Sequence, residues 1–381
     1  MRILQFGRFH NEQQNGGVER HQQLLCKGLA ANGLDVVYLV AAAGLEEKDE
    51  IVDGYRLIQA PSFGTLFSTA VSPSQVLRAL ALHKEMPFDV LHLHFPNPLA
   101  HLASMLFPSN VKRVITWHSD IVKQKRLLAM YRPFLQSVTR RADALIAATS
   151  AHYSSSTQIP KDISPEKRRV IPFGLDFSSL DLTPHSESVR KNLLSHANGQ
   201  AIIFALGRHV YYKGFDVLIT AMEHINAQLI LGGDGPLRTQ LESQVDRLGL
   251  KHKITFTGGI AEEDLAAYFH ACDVFCLPSV EQSEAFGLVQ LEAMACGKPV
   301  ICTQLNNGVN VLNVHGETGF AVPVRDSLAL AERINQLLQD SALRLKLGAQ
   351  AHARALQVYS LDANTQQHIQ LYKELTQFKA I

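Results

Sequence analysis

Val274-Phe275-Cys276-Leu277-Pro278-Ser279, then Ser283-Glu284-Ala285-Phe286-Gly287-Leu288-Val289-Gln290-Leu291-Glu292-Ala293-Met294-Ala295-Cys296-Gly297-Lys298-Pro299, then Val300-Ile301-Cys302-Thr303: this stretch decides the fold. Its first four residues form a short apolar run of strand type, broken at Pro278. Gly287–Cys296 reads as a helix that Gly297 and Pro299 terminate. Val300–Thr303 is a second strand. Strand, helix, strand at this spacing is a parallel crossover.

The same alternation runs outward in both directions. Before the break, strands are expected at Ile3–Gly7, Asp35–Val40, Tyr55–Ile58, Val90–His94, Val114–His118, Leu145–Ala148 and Val170–Pro172. After it, they are expected at Ala201–Gly207, Gln228–Gly232, Ile254–Thr257, Val274–Leu277, Val300–Thr303 and Phe320–Pro323. Helices fit between them at Gly17–Asn32, Phe215–His224, Pro236–Leu248 and Ala261–His270. Two runs of alternation predict an α/β chain of two doubly wound domains with parallel sheets covered on both faces. Asp, Ser, Thr, Pro and Asn cluster between Gly174 and Gly199, where the domains separate, and Ser186–His196 reads as a short polar helix. The expected boundaries are 1–175 and 176–360, with a final helix, about Ala363–Lys379, following a turn at Tyr359–Asp362.

Composition narrows the class. The 381 residues are 46% apolar and 19% charged, which excludes a disordered or fibrous chain. No apolar run reaches the roughly 18–20 residues of a membrane span. Met1-Arg2-Ile3-Leu4-Gln5 runs straight into a strand and Gly7, so no signal peptide is expected. Five cysteines, odd in number and without a CxxC pair, read as reduced thiols of a cytoplasmic protein. Up to Leu175 there are 20 Lys and Arg against 14 Asp and Glu; beyond it the balance is 16 against 21. A basic front half and an acidic back half point to different partners for the two.

Ligands of open α/β sheets bind outside the carboxyl ends of the strands, so the chemistry belongs to the loops there. Glu284 falls in the loop before the helix and Glu292 inside it, too far apart for the paired carboxylates of a retaining glycosidase but suited to two contacts on one elongated ligand. Taken singly each would be a solvated surface glutamate; the whole string after a strand points to a site. The amides of Phe286, Gly287 and Leu288 would open a helix N-terminus and accept an anion. Gly207-Arg208-His209-Val210-Tyr211-Tyr212-Lys213-Gly214 follows the strand Ala201–Gly207, where Arg208 and Lys213 could converge on a phosphate. Gly16-Gly17-Val18-Glu19 follows the first strand and would let backbone amides approach a phosphate. Trp117 and His118 close another strand and could line a sugar site. His92 and His94, which alternation puts on one strand face, read as packing or structural residues. No GxGxxG, P-loop, HExxH or D-x-D occurs, so neither a dinucleotide nor a protein-held metal is expected. Segment 122–141 has six basic residues and no acid, interleaved with apolar ones; it reads either as an ordinary helix burying one stripe or as a segment lying on an anionic membrane.

Taken together, the E-x7-E of Glu284 and Glu292, Gly207-Arg208…Lys213-Gly214, Gly16-Gly17-Val18-Glu19 and Trp117-His118 resemble the retaining glycosyltransferases of family 4, over nearly the whole chain. The resemblance implies a GT-B architecture, two Rossmann-like domains facing across a cleft, with an acceptor-binding domain (1–175, plus 361–381 crossing back) and a nucleotide-sugar domain (176–360). It implies that Arg208 and Lys213 hold the donor pyrophosphate, that Glu284 and the amides of Phe286, Gly287 and Leu288 hold sugar and phosphate, and that Glu292 binds the ribose. Gly16 and Gly17 would approach the phosphate, Ile260 would lie by the base, and His118 would touch the sugar near the reacting centre. Tyr211-Tyr212-Lys213-Gly214 and Thr116-Trp117-His118-Ser119-Asp120 look most like bacterial surface-polysaccharide members, several of which use GDP-mannose. The resulting expectation is a metal-independent, retaining hexosyltransferase, moving mannose from GDP-mannose to a saccharide or lipid-linked saccharide, cytoplasmic or peripheral on the inner membrane, and binding no nucleic acid. Alternatives are a UDP-sugar transferase, a GT-B epimerase or phosphorylase, and a non-catalytic partner subunit. Two departures stand out: Phe173 where many relatives have Asn, and Gln304–Asn310 in place of a glycine- and proline-bearing loop.

Overall fold

Short β-branched runs separated by helices form two parallel sheets, one in each of two units of the chain: Met1–Leu175 with Ser360–Ile381, and Asp176–Tyr359. The computed structural model describes residues 1–9, 17–66, 69–121, 125–284 and 286–377. The first unit contains β1 (Arg2–Phe9), α1 (Gly17–Ala31), β2 (Asp35–Ala41), β3 (Lys48–Val52), β4 (Tyr55–Ala60), the short hairpin β5 (Thr65–Leu66) and β6 (Thr69–Ala70), α2 (Pro73–Glu85), β7 (Val90–Phe95), α3 (Pro98–Leu106), β8 (Lys112–Trp117), α4 (Lys125–Arg141), β9 (Ala144–Ala147), α5 (Ala151–Ser155) and β10 (Arg168–Val170). The second contains α6 (Pro184–His196), β11 (Ile202–Leu206), α7 (Phe215–Ala221), β12 (Gln228–Gly232), α8 (Arg238–Arg247), β13 (Ile254–Gly258), α9 (Glu262–Ala271), β14 (Val274–Leu277), α10 (Val289–Ala295), β15 (Val300–Thr303), α11 (Gly308–Leu312), β16 (Gly319–Val322), α12 (Ser327–Gln339) and α13 (Ser341–Tyr359). The final helix, α14 (Leu361–Gln377), belongs to the first unit.

The sheet orders are β10-β9-β8-β7-β1-β2-β4-β3 and β13-β12-β11-β14-β15-β16, all neighbours parallel except β3 and β4. In each sheet the first strand is flanked on one side by the next strand in sequence and on the other by a strand reached by a crossover, β7 in the first unit and β14 in the second. Those are the topological switch points.

Alternation along the strands divides the first unit into two cores. Leu4, Phe6, Leu91, Leu93, Phe95, Ile115 and Trp117 pack under α2, α3 and α4. Ile3, Val36, Tyr38, Val90, Val114 and Ile146 pack under α1 and α14, against Leu25, Leu29, Ile369 and Tyr372. The second unit buries Ile203, Ala205, Leu229, Leu231, Val274 and Ile301 against α7, α8, α12 and α13.

Two differences from the sequence expectation have local causes. Strand β3 is Lys-Asp-Glu-Ile-Val, which carries no apolar alternation because it is a mostly exposed edge, where charge blocks further pairing. Helix α10 opens at Val289 instead of Gly287, because Gly287 takes φ +59°, outside the right-handed helical region.

Helix α14 is seated by Leu361 N–H donating to Leu175 O at 2.8 Å and by Asn364 Nδ2 donating to Pro172 O at 2.6 Å. It meets α1 at Gly28, where a Cβ would stand 2.2 Å from Thr365 Oγ1. Thr365 is fully buried, so nothing there can move aside cheaply. Gly28→Ala should therefore cost about 1–3 kcal/mol in urea unfolding, with part recovered by Thr365→Ala. Gly44→Ala, with open space around its Cβ, serves as the control. A Gly28→Ala protein as stable as the parent would contradict this packing.

Candidate functional site

At the switch point of the second unit, the loops after β11 and β14 are bolted to each other. Val280 N–H donates to Tyr212 O at 2.7 Å. Gly214 takes φ +66°, and a Cβ there would lie 2.1 Å from Pro278 O, so only glycine lets the two backbones approach this closely. The consequence is chemical: Lys213 Nζ meets Glu284 Oε2 at 2.5 Å. Both side chains are about nine-tenths buried, 12% and 10% exposed, so the pair lies largely out of water. Ser279 Oγ donates to the same carboxylate oxygen at 3.0 Å, and Asn307 Nδ2 donates to Glu284 O at 2.7 Å. The loop 304–310 is itself tied down, because Asn310 Oδ1 accepts the amides of Leu305 and Asn306.

The other residues expected from sequence in this unit lie in the loops after β11, β13 and β14 and in α10. The Lys213 stem runs over Gly207, its Cε 3.1 Å from where a Cβ would be. Arg208 is exposed, and its guanidinium has no hydrogen-bond or ion-pair partner among the described residues. Ile260, in the loop between β13 and α9, is half-buried over Gly232. Phe286, Gly287 and Leu288 lie before α10 instead of in its first turn, with Leu288 as N-cap. The amides of Gly287 and Leu288 have no acceptor among the described residues. Glu292 is half-buried in α10. Beside these loops Val280–Ser283, Gln304–Asn306 and Val324 line a cavity of about 490 Å³.

The first unit presents His118 directly after β8. Asp120 fixes its loop, accepting from Trp117 Nε1 at 3.1 Å, Ser156 Oγ at 2.6 Å and Thr157 N at 2.9 Å. Trp117 does not line a sugar site: it is 1% exposed and stacks on Phe95 at 3.8 Å, because its strand position points into the core under α3 and α4. His118 is half-buried, stacked on Phe173 with ring centroids 5.4 Å apart. Burial, with the charges of Arg8 and His152 adding, pushes its pKa down to about 3, so the ring is neutral near pH 7. Arg8, at the carboxyl end of β1, grips Glu19 of α1 at 2.6 Å, which gives the glutamate of the Gly-Gly-Val-Glu motif a structural task. Gly17 is the first residue of α1; Gly16 lies outside the described residues.

The chemistry available is therefore the open charge of Arg208, a Lys213 ammonium balanced by Glu284 and uncommitted backbone amides at the carboxyl edge of one sheet, and a neutral imidazole at the carboxyl edge of the other. Sequence reading missed Ser279, which reaches Glu284 five residues on, Asn307, which reaches the same residue from the loop after β15, and Arg8, which grips Glu19 eleven residues on. Only the position of Ser279, directly after a strand, signalled it.

Comparison with known proteins identifies the family. Residues 189–354 match the model for "Glycosyl transferases group 1", and residues 15–179 match "Glycosyltransferase Family 4". The chain is 30% identical to D-rhamnosyltransferase WbpZ of Pseudomonas aeruginosa, over 94% of this chain and 92% of that protein. It is 27% identical to O-antigen chain mannosyltransferase C of Escherichia coli over the whole of both chains. It is 30% identical to phosphatidyl-myo-inositol mannosyltransferase of Mycobacterium leprae, over 94% of this chain and 93% of that one. Among solved structures, sucrose-phosphate synthase from Thermosynechococcus elongatus aligns with TM-score 0.68 at 25% identity, covering 98% of each chain. HepE from Anabaena in complex with UDP aligns with TM-score 0.71 at 22% identity, covering 98% of this chain and 100% of that one.

Because the Lys213–Glu284 pair is largely desolvated, removing one partner strands the other. Lys213→Met and Glu284→Gln should each destabilise the second unit, by up to about 3–5 kcal/mol, and the double variant should recover at least about 1 kcal/mol of their sum. Urea unfolding of the four proteins measures this. Strictly additive costs would show that the pair contributes no coupling.

Proposed function

Since the chain belongs to the family 4, group 1 glycosyltransferases and has their GT-B pair of doubly wound domains, we propose that it is a retaining hexosyltransferase that moves mannose from GDP-mannose to a saccharide or lipid-linked saccharide acceptor in surface-polysaccharide synthesis. The second unit binds the donor and the first the acceptor. The observation that supports the reading is the switch point, where the loop after β11, with Arg208 and Lys213, is held against the loop after β14, with Glu284 ahead of the Gly287 and Leu288 amides. The sugar assignment is supported by relatives named for mannose transfer, and by one named for D-rhamnose, which is 6-deoxymannose and shares its axial 2-hydroxyl.

The mechanism follows from charge. A departing nucleoside diphosphate gains negative charge as the anomeric carbon becomes cation-like, so cations and amides already in place stabilise the transition state more than the ground state. In this reading Glu284 binds sugar hydroxyls and is no nucleophile: its carboxylate is already committed to Lys213 and Ser279. Transfer proceeds on the front face, with the donor phosphate accepting the proton of the acceptor hydroxyl. Gly16, Gly17 and Phe286 approach the phosphates, Glu292 the ribose, Ile260 the base, and His118 the sugar. A second reading, a UDP-sugar donor, is favoured by the likeness to HepE, which was solved with UDP.

The deciding measurement is thermal unfolding with GDP, UDP, ADP and their sugar conjugates, on the parent and on Arg208→Ala. A ligand that binds only the native state raises the melting temperature, by an amount equivalent to about 2.7 kcal/mol at a hundredfold excess over Kd. The expected pattern is a shift with GDP and GDP-mannose that Arg208→Ala largely abolishes. A shift with UDP alone would select the second reading, and no shift with any nucleotide would favour a non-catalytic partner.

We further infer that α4 rests on an anionic membrane surface. Among the described residues no helix is long and apolar enough to cross a bilayer. Helix α4 nevertheless leaves Leu127 and Met130 48% and 82% exposed in its first half, with Arg132 exposed next to them, while Lys123 of the basic segment lies outside the described residues. In co-sedimentation with phosphatidylglycerol vesicles, Arg132→Glu should weaken binding at least about fivefold, and Met130→Asp should weaken it further. Binding that ignores both changes would return α4 to an ordinary surface helix.

A further inference from the structure

The α14-facing side of the first sheet carries a row of polar groups where its neighbours are apolar. Gln5 of β1, His92 and His94 of β7 and Tyr372 of α14 are at most 1% exposed. His92 Nδ1 lies 2.6 Å from Tyr372 Oη and 3.1 Å from Gln5 Nε2, and His92 Nε2 lies 2.7 Å from Thr116 Oγ1. Gln5 Oε1 lies 2.8 Å from His94 Nε2, and His94 Nδ1 lies 3.0 Å from His118 Nε2. The rings of His92, His94 and His118 stack in sequence, with centroids 4.5 and 5.3 Å apart. Among the described residues no three His, Cys, Asp or Glu side chains are grouped to hold a metal ion, so the row is a hydrogen-bond chain.

Its proton positions follow from one amide. Burial holds His92 and His94 well below the ordinary histidine pKa, so each ring is neutral, with one N–H and one bare nitrogen. The Gln5 oxygen can only accept, so His94 Nε2 carries the proton and His94 Nδ1 is bare. The nitrogen of His118 facing it, Nε2, must then donate, and His118 Nδ1 is left bare. At the other end the Gln5 NH2 group faces His92 Nδ1 and Tyr372 Oη, which keeps Nδ1 bare and turns His92 Nε2–H onto Thr116. Inverting the Gln5 amide would move every proton to the opposite nitrogen. Among the described residues His118 Nδ1 has no hydrogen-bond partner.

We propose that Gln5 and His94 are positioning residues that hold His118 as its Nε2–H tautomer, so that Nδ1 is presented as an acceptor to a substrate hydroxyl. The proposal rests on the reading of His118 as a contact to the transferred sugar. An imidazole of the other tautomer would donate there instead and engage the hydroxyl through its oxygen. Tyr372 extends the control to α14, so the last helix acts on the chemistry as well as on the fold.

The test is side-chain 15N NMR on the full chain, with His118→Ala supplying the assignment. The parent should show His118 with protonated Nε2 and bare Nδ1 throughout pH 6–8; a proton on Nδ1 overturns the proposal without any further variant. His94→Phe removes the acceptor and should give a mixture of tautomers. His94→Asn, whose amide oxygen can take the place of Nδ1, should restore the single form. In turnover of GDP-mannose with water as the acceptor, His94→Phe should lower kcat about ten- to hundredfold with the GDP melting shift unchanged, and His94→Asn should recover part of it. An unaltered tautomer and kcat in His94→Phe would refute the proposal. Wild-type turnover by His118→Ala would instead remove His118 from the reaction and the positioning role with it, while the NMR spectrum still reports whether the row exists.

Discussion

A parallel sheet covered by helices on both faces gives its strand residues no water, and every other feature of this chain is arranged around that constraint. Polar side chains have two places to go: the carboxyl edge, where loops carry them out of the sheet, or the interior, where each hydrogen bond must be supplied by another side chain. The second unit takes the first course. Its strands β11, β12, β14 and β15 are almost wholly apolar, and Arg208, Lys213, Ile260 and Glu284 all stand in loops that follow strands. The first unit takes both, with His118 at the edge and Gln5, His92, His94 and Thr116 inside.

The two solutions differ in what they ask of a ligand. In the second unit Lys213 and Glu284 neutralise each other, which keeps a desolvated ammonium and a desolvated carboxylate tolerable side by side. Under the proposed function, a diphosphate drawn to Lys213 would compete with that carboxylate, whereas Arg208 is exposed and would be the first contact. Ser279, already bonded to Glu284, offers the carboxylate a partner that does not depend on the lysine.

Sequence reading recovered what depends on local pattern. Gln228–Gly232, Val274–Leu277 and Val300–Thr303 have the boundaries expected from their apolar runs. It erred where one residue's backbone overrode the pattern, as at Gly287, and where an element obeys edge chemistry instead of burial, as in Lys48–Val52. Pairings across the chain were not legible: Lys213 and Glu284 are 71 positions apart, and Gln5 and Tyr372 are 367 apart. The E-x7-E spacing and the basic loop pointed to two loops that the structure holds against each other, but nothing in them states that the lysine and the first glutamate touch. Trp117 shows the opposite error, in which a rare residue next to a candidate site residue looked functional although strand alternation already directed it inward.

The histidine row is where local and non-local information meet. Alternation alone puts His92 and His94 on one face, and that favours the bland reading of two packed rings. Packing does not account for the composition, however, since a leucine in either place would spare the sheet the burial of an imidazole, which costs more with each ring added. What the rings have that leucine lacks is a nitrogen on each side, and along this face every gap between those nitrogens is closed by a donor or acceptor, from Thr116 and Tyr372 at one end to His118 at the other. A hydrogen-bonded row open only at its last member transmits one property to that member, the side on which it carries its proton. Sugar hydroxyls both give and take hydrogen bonds, so in the proposed role of His118 that choice of side would decide which way round a substrate hydroxyl is held.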